Sequence, residues 1–434
     1  MFRNFAAGLR SKEIQKRILF TLALLFLYRV GTFIPVPKID TTVFKAAAES
    51  SGLLNFMNAF SGGSLKNFSL FAVGIMPYIT ASIIIQLLQM GEIIPTLTEW
   101  SKQGEQGQKQ IKKVTRYVTV VLAFIQALGL SLSFNRLYGI VIDPSVWTYI
   151  LIASILTVGT IILMIFGELI TNKGIGNGMS MIIQAGIISS IPTVAQQLYQ
   201  QEFTVSDQQL FIHIIKVVLL LLVLVAMVVF VIFVQQGTRK IPIQYGQKMS
   251  AGKTAQPFST QSSFLPLKVN NAGVIPVIFA VALFTFPKTL VQFFDQNSVT
   301  TWISNAFDYT HPVGLVVYIA LIILFAYFYA FMQVNPEKMA ENLKKQNGYI
   351  PGYRPGKETQ VYVSSLLKRL TFIGSLFLAF VSALPILFSL FANIPTQLQI
   401  GGISLLIVTS VAIDTVKQIE SKTVSNRYTG FIQK

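Results

Sequence analysis

The sequence predicts an all-α integral membrane protein of ten transmembrane helices, arranged as two inverted, pseudo-symmetric five-helix halves. Three observations carry this expectation. Apolar residues fill 53% of the 434 positions and charged residues only 12%. Apolar runs of about 18 residues or more, enough to cross a bilayer, recur along the whole chain. One short pattern also appears twice, at equivalent places in the two halves of that series.

Taken in order, the runs place spans at about 17–35, 69–89, 115–134, 147–167, 179–199, 211–235, 272–292, 313–333, 371–391 and 399–415. Span one follows basic residues that end at Arg17, as in a signal peptide. No small-x-small cleavage site follows it and Pro35-Val36-Pro37 closes the run, so it reads as a retained span. Span six is the clearest, with no charge over 217–234, and span ten is the shortest, opening on Gly401-Gly402. Residues 1–200 then form an N-terminal half with spans one to five, and 201–434 a C-terminal half with spans six to ten. Two long polar loops, about 236–270 and 334–370, lie in the second half.

Charge orients the series. With ten spans both termini share a side, and 27 of the 34 Lys and Arg residues fall on it. That bias marks the side as cytoplasmic and makes the termini N-in and C-in. The net charge of +17 therefore sits on the cytoplasmic face. The long loops there suit either topology signalling with attraction to anionic lipids or docking of a large cytosolic partner; their length favours docking.

Val73-Gly74-Ile75-Met76-Pro77-Tyr78-Ile79 opens span two, and Ala272-Gly273-Val274-Ile275-Pro276-Val277-Ile278 opens span seven. Five is odd, so these two spans run in opposite directions, as inverted-topology repeats do. Gly and Pro free backbone groups in such helices, which makes spans two and seven candidates to line or gate a path between the halves.

Catalytic equipment is scarce. Cysteine is absent, and His213 and His311 are far apart without a ligand pattern, so no metal site or cofactor is expected. The "AGKT" at 251–254 lacks the preceding phosphate-loop glycine, since Gln247 stands there. "GIGNG" at 174–178 reads as a tight turn into span five. Arg29, in the outer part of span one, suits a buried charge and snorkelling to the outer interface equally well, and Glu168 and Asp414 read as solvated span ends without an obvious partner. An enzyme or ion-coupled transporter would need more buried ionisable groups than these.

What the spans do carry is aliphatic and amide side chains. Ile79 and Ile83 share a face of span two, Met179 and Ile183 a face of span five, and Ile278 and Ile407 lie in spans seven and ten. Packing explains them; so would a dry constriction that blocks ions yet yields to a wider apolar object. Thr80, Gln86, Gln126, Asn270 and Asn271 suit helix-to-helix glue or a polar seam that can part. Between spans one and two, the apolar stretch 53–60 is too short to cross and ends at Ser61-Gly62-Gly63-Ser64.

Several long segments closely resemble the SecY family of protein-conducting channel subunits. These are FAVGIMPYITASIIIQLL at 71–88, GELITNKGIGNGMSMII at 167–183, FLPLKVNNAGVIPVIFA at 264–280 and NGYIPGYRPGKET at 347–359. The resemblance covers essentially the whole chain. It implies a clamshell of two five-helix halves around an hourglass pore, with an aliphatic ring at Ile79, Ile83, Met179, Ile183, Ile278 and Ile407. Methionine at 179 departs from the isoleucine usual in the family. A plug is implied at about 53–64, through Leu53, Leu54, Phe56, Met57 and Phe60, hinged at Gly62 and Gly63. A lateral gate is implied between spans two and three and spans seven and eight, with Thr80, Gln86, Gln126 and Asn270 in its seam. The long loops would dock the motor ATPase SecA or a translating ribosome through Arg354, then Arg239, Lys240 and Lys357. SecE and SecG would be membrane partners, and secretory and membrane-protein precursors with their signal peptides the clients. Energy would come from motor, ribosome or membrane potential, with no enzymatic step in this chain.

Overall fold

The computed structural model describes residues 11–41, 61–203, 210–245, 263–291, 297–308, 311–392 and 401–432. Each predicted span overlaps a helix, though not over its whole length. In chain order these are α1 (Lys12–Gly31), α2 (Met76–Met90), short α3 (Pro95–Lys102), α4 (Glu105–Tyr138), α5 (Val146–Lys173), α6 (Gly178–Phe203) and α7 (Leu210–Gln236). After the strands β1 (Thr238–Tyr245) and β2 (Ser263–Lys268) come α8 (Ile275–Val291), short α9 (Ser298–Ala306), α10 (Pro312–Gln333) and α11 (Pro336–Lys345). Strand β3 (Gly348–Tyr349), α12 (Lys357–Ala392) and α13 (Gly401–Ile432) complete the order. Among the described residues, five stretches are long and apolar enough to cross a membrane: Glu105–Arg136, Val146–Lys173, Val217–Gln236, Pro312–Lys345 and Lys357–Leu387. The tenth predicted span, expected to be short, is the apolar first half of a 32-residue helix.

The second span differs from expectation. Its helix begins only at Met76, and residues 61–75 run as successive turns although most of them are buried. Apolar composition specifies burial, not helicity. Gly74 sits at φ +65, which ends any helical path through it, and Pro77 fits only the first turn of α2. Buried irregular backbone requires internal partners. Leu65 N–H donates to Ser61 Oγ at 3.2 Å, Leu70 N–H to Ile34 O at 3.0 Å, and Ser69 Oγ to Ser64 O at 3.1 Å. The segment is seated on α5, where Gly159 leaves room for the Leu70 carbonyl.

The repeated pattern recurs in three dimensions. Gly273 also sits at φ +65, two residues before α8 opens on Ile275-Pro276. Both left-handed glycines have a side chain at their carbonyl: Thr160 Oγ1 is 3.3 Å from Gly74 O, and Asn270 Nδ2 donates to Gly273 O at 3.0 Å.

The chain is not purely helical, because the two long polar loops are tied together by a small antiparallel sheet of order β2-β1-β3. In β1, Ile241 and Ile243 are buried while Lys240 and Pro242 are exposed, the period-two alternation of a half-buried strand. β2 pairs with β1 from Thr238 opposite Lys268 to Ile243 opposite Ser263, and β3 pairs with its end through Gln244 and Tyr349. Ile241, Leu267, Ile350, Val363 and Leu370 form the small core beneath.

Candidate functional site

Ile79 and Ile83 on α2, Ile183 on α6, Ile278 on α8 and Ile407 on α13 are all buried within a single hydrophobic cluster. Met179, at the start of α6, is partly buried against it. Six positions spread over more than 300 residues of chain are thus gathered by four helices. The i, i+4 spacing in α2 and in α6 turns both members of each pair to one face.

The polar set behaves differently. Thr80 is buried and donates to Met76 O of its own helix at 3.1 Å. Gln86 Nε2 donates to Ser82 Oγ at 3.0 Å, also within α2, and its Oε1 is buried with no partner among the described residues. Gln126 is half-buried on α4, and Asn270 is buried in the turn before α8. The hydrogen bonds of Thr80, Gln86 and Asn270 stay inside their own segments, although α2 and α4 both pack on α8.

Leu53, Leu54, Phe56, Met57 and Phe60 lie outside the described residues, and the hinge that follows them lies within. Gly62 and Gly63 sit at φ +69 and +83. Tyr28 Oη on α1 donates to Ser61 O at 3.1 Å, and Arg29 Nη1 donates to Gly62 O at 2.8 Å. Arg29 therefore turns toward this segment, which favours the buried charge over snorkelling. Sequence alone carries no signal for it, because its acceptor is a backbone carbonyl.

Glu168 also has a partner that the sequence does not suggest. Arg116 Nε and Nη2 grip its two carboxylate oxygens at 2.8 and 2.5 Å, joining α4 to α5 across 52 residues. The bridge is bidentate but half-open to solvent, with Arg116 46% exposed. Arg116→Ala is expected to cost about 1 kcal/mol, read as a small drop in melting temperature in detergent. A collapse of the fold would show the bridge to be central. Asp414 is paired too, at 3.8 Å from Lys268 Nζ. These two residues border a polar cavity of about 240 Å³ with Asn177, Gln235 and Gln418. Burial first, and then the charge of Lys268, pull the Lys417 ammonium there below its usual range.

Arg239 and Lys240 are exposed on β1, and Lys357 is exposed at the first residue of α12. Arg354 is exposed in the turn between Gly352 and Gly356, whose φ values are +87 and +107. Glu358 Oε2 accepts from Arg354 N–H at 3.1 Å, and Thr359 Oγ1 donates to Arg354 O at 2.8 Å.

The fold is that of a multi-pass membrane protein, in which buried aliphatic side chains from helices of both ends of the chain meet in one cluster. A SecY family model matches residues 69–416. The protein translocase subunit SecY of Bacillus licheniformis is 56% identical over 435 residues, covering 100% of each chain. The chain belongs to the SecY family, and it is a channel protein and not an enzyme. Its fold resembles a solved structure describing how the plug domain of the SecY protein stabilises the closed translocation channel and maintains a membrane seal. The TM-score is 0.62 at 19% identity, covering 95% of this chain and 93% of that one. It also resembles Sec61 in the canine ribosome-channel complex from the endoplasmic reticulum, with a TM-score of 0.59 at 18% identity over 95% and 93% of the two chains.

Proposed function

We propose that the chain passes unfolded secretory polypeptides across the bacterial cytoplasmic membrane and releases transmembrane segments sideways into lipid. The observation that carries this reading is the aliphatic cluster, to which α2, α6, α8 and α13 contribute Ile79, Ile83, Ile183, Ile278 and Ile407. Such a constriction is too dry for ions, yet parts around a wider chain without breaking hydrogen bonds. Helix packing supports two five-helix halves. α5 packs on α1, α4 and α6, and α2 on α4, while α12 packs on α7, α10 and α13, and α8 on α10. Between the sets, α8 meets α2 and α4, and α6 meets α7 and α13. The first junction is the lateral gate of this reading and the second its hinge. The five aliphatic positions with Met179 form the ring, and residues 53–60 the plug beneath it. Both termini face the cytoplasm. SecE and SecG accompany the chain in the membrane, while SecA or the ribosome docks on the loops around Arg354, Arg239, Lys240 and Lys357.

A stalled secretory chain carrying a photocrosslinker tests the path. Crosslinks are expected at Ile83 and Ile278, and none at Phe26 and Val225, which are exposed on α1 and α7. Crosslinks confined to the exposed positions would remove the channel reading. Deleting residues 53–60 is expected to raise ion conductance through the resting channel, and an unchanged conductance would count against a plug there.

A further inference from the structure

We infer that α9 is a lipid-docking helix. It lies in the bilayer interface at the end of the molecule opposite the small sheet, with Val299 and Trp302 set among the lipids, and it holds α8 and α10 at that depth. α9 stands between α8 and α10 in the chain and packs on both. Strand β2 leads into the start of α8, and the end of α10 leads into α11 and β3, so the sheet and α9 flank opposite ends of this helix pair. α10 belongs to a stretch long and apolar enough to cross a membrane. α9 therefore sits where that crossing meets the far boundary. It is joined firmly there. The Phe307 ring, just past α9, lies 5.6 Å from Phe284 of α8, which in turn lies 5.6 Å from Tyr318 of α10. Gly314 of α10 leaves room for the Asp308 carbonyl.

The surface of α9 is sorted into three sides. Thr300, Ile303 and Ser304 are half-buried and make the side against protein. The exposed remainder divides into two strips. Val299 and Trp302, 67% and 69% exposed, stand at i, i+3 and form an apolar one. Ser298, Thr301 and Asn305, at i, i+3 and i+7, form a polar one beside it. Bulk water gives an exposed helix no reason to keep such strips apart. A bilayer boundary does, because acyl chains take one strip while water takes the other. Tryptophan suits that level, with an apolar ring and a polar N–H on one side chain. α9 carries no charge, so nothing on it selects an acidic or a basic partner. The first turns of α10, at the same end of the molecule, likewise expose Val313 and Val316 on a helix that crosses the membrane. The start of α9 is satisfied from within, as a helix end short of water requires. Asn297 N–H donates to Thr300 Oγ1 at 2.7 Å, and the Thr300 and Thr301 hydroxyls donate to Asn297 O at 2.8 and 3.0 Å.

The chain has no cysteine, so a spin label on an introduced one reports a single position of it. The test compares Val299→Cys, Asn305→Cys and Val316→Cys, each labelled in the full chain reconstituted into vesicles of phosphatidylethanolamine and phosphatidylglycerol. Relaxation of the label by molecular oxygen, which concentrates among acyl chains, is set against relaxation by a water-soluble nickel chelate. Oxygen is expected to dominate at 299, as at the lipid-facing reference 316, and nickel at 305. Nickel access at 299 equal to that at 305 would overturn the inference, since α9 would then stand in water. Loss of access to both at 299 would also overturn it, because protein and not lipid would then cover the strip. Adding Trp302→Ser to Val299→Cys is expected to shift 299 toward nickel as α9 loses its hold, and no shift would overturn the role given to the tryptophan. A second measurement needs no label. With Trp100→Phe and Trp147→Phe, Trp302 is the last of the three tryptophans. Its emission is expected to be quenched by lipids brominated near the top of the acyl chains and spared by iodide, and the reverse pattern would overturn the inference. None of these readouts depends on transport.

Discussion

Gly159→Leu is expected to leave little folded protein in the membrane. A Cβ at position 159 would run into the backbone carbonyl of Leu70 and lie 2.9 Å from its carbonyl carbon. A side chain in the way can rotate, but this obstacle is backbone. Leu70 is itself held by its N–H bond to Ile34 O and lies in the chain of turns from residue 61 to residue 75. Leu156, Thr160 and Leu163 share the buried face of α5 with Gly159 and are themselves fully packed, so a leucine at 159 finds no free volume beside the obstacle. Overpacking a core ordinarily costs about 1–3 kcal/mol. With backbone directly in the way and packed core around it, about 3 kcal/mol or more is expected for leucine, and an intermediate loss for Gly159→Ala. Thermal unfolding in detergent and the yield of membrane-inserted protein measure this. A melting temperature like that of the parent chain would show that the turns can lift off α5. The consequence reaches the site, because those turns end at Gly74 and aim the first turn of α2, and with it Ile79 and Ile83.

That dependence shows why part of the fold is legible in the sequence and part is not. Apolar runs locate every long helix, because a bilayer imposes length and hydropathy on any segment that crosses it. The Gly-x-x-Pro pattern reveals the correspondence of α2 with α8, since a left-handed glycine and a first-turn proline are backbone requirements that side chains spell out. Residues 61–75 escape such a reading because a buried irregular segment is as apolar as a helix. Its serines, which serve as internal hydrogen-bond donors and acceptors, look like ordinary small residues. The partner of Glu168 is invisible because 52 residues separate it from Arg116, and no local spacing rule reaches that far. The acceptor of Arg29 is invisible for a different reason, since a carbonyl belongs to every residue and leaves no letter. Isoleucine at 79, 83, 183, 278 and 407 stands out only as helix-face spacing. Its convergence in one cluster is a property of four helices packed together.

Arg354→Glu is expected to abolish most motor-driven translocation while the chain still inserts and folds. The turn carrying Arg354 is built to hold its shape. Gly352 and Gly356 supply backbone conformations that other residues resist, Tyr353 stacks on Tyr362 with ring centroids 4.1 Å apart, and Glu358 and Thr359 fix the Arg354 amide and carbonyl. Tyr362 in turn packs against the small core under the sheet. A rigid turn ending in an exposed guanidinium loses little entropy when a partner binds it. Arginine in that setting presents a fork of donors that lysine lacks. If it anchors the partner, losing it costs about 2 kcal/mol of docking energy, about thirtyfold in affinity, and the reversed charge adds repulsion. Arg354→Ala separates the two contributions and avoids placing a second carboxylate beside Glu358. Arg354→Lys should recover part of the activity by restoring charge without the fork. Translocation of a secretory precursor into proteoliposomes with purified SecA, alongside binding of SecA to the same vesicles, reads both effects. Parallel losses of binding and transport in the alanine and glutamate variants, at unchanged thermal stability, are the expected outcome. Intact binding with lost transport would move Arg354 from docking to a later step, and full transport by Arg354→Glu would take it out of the docking surface altogether.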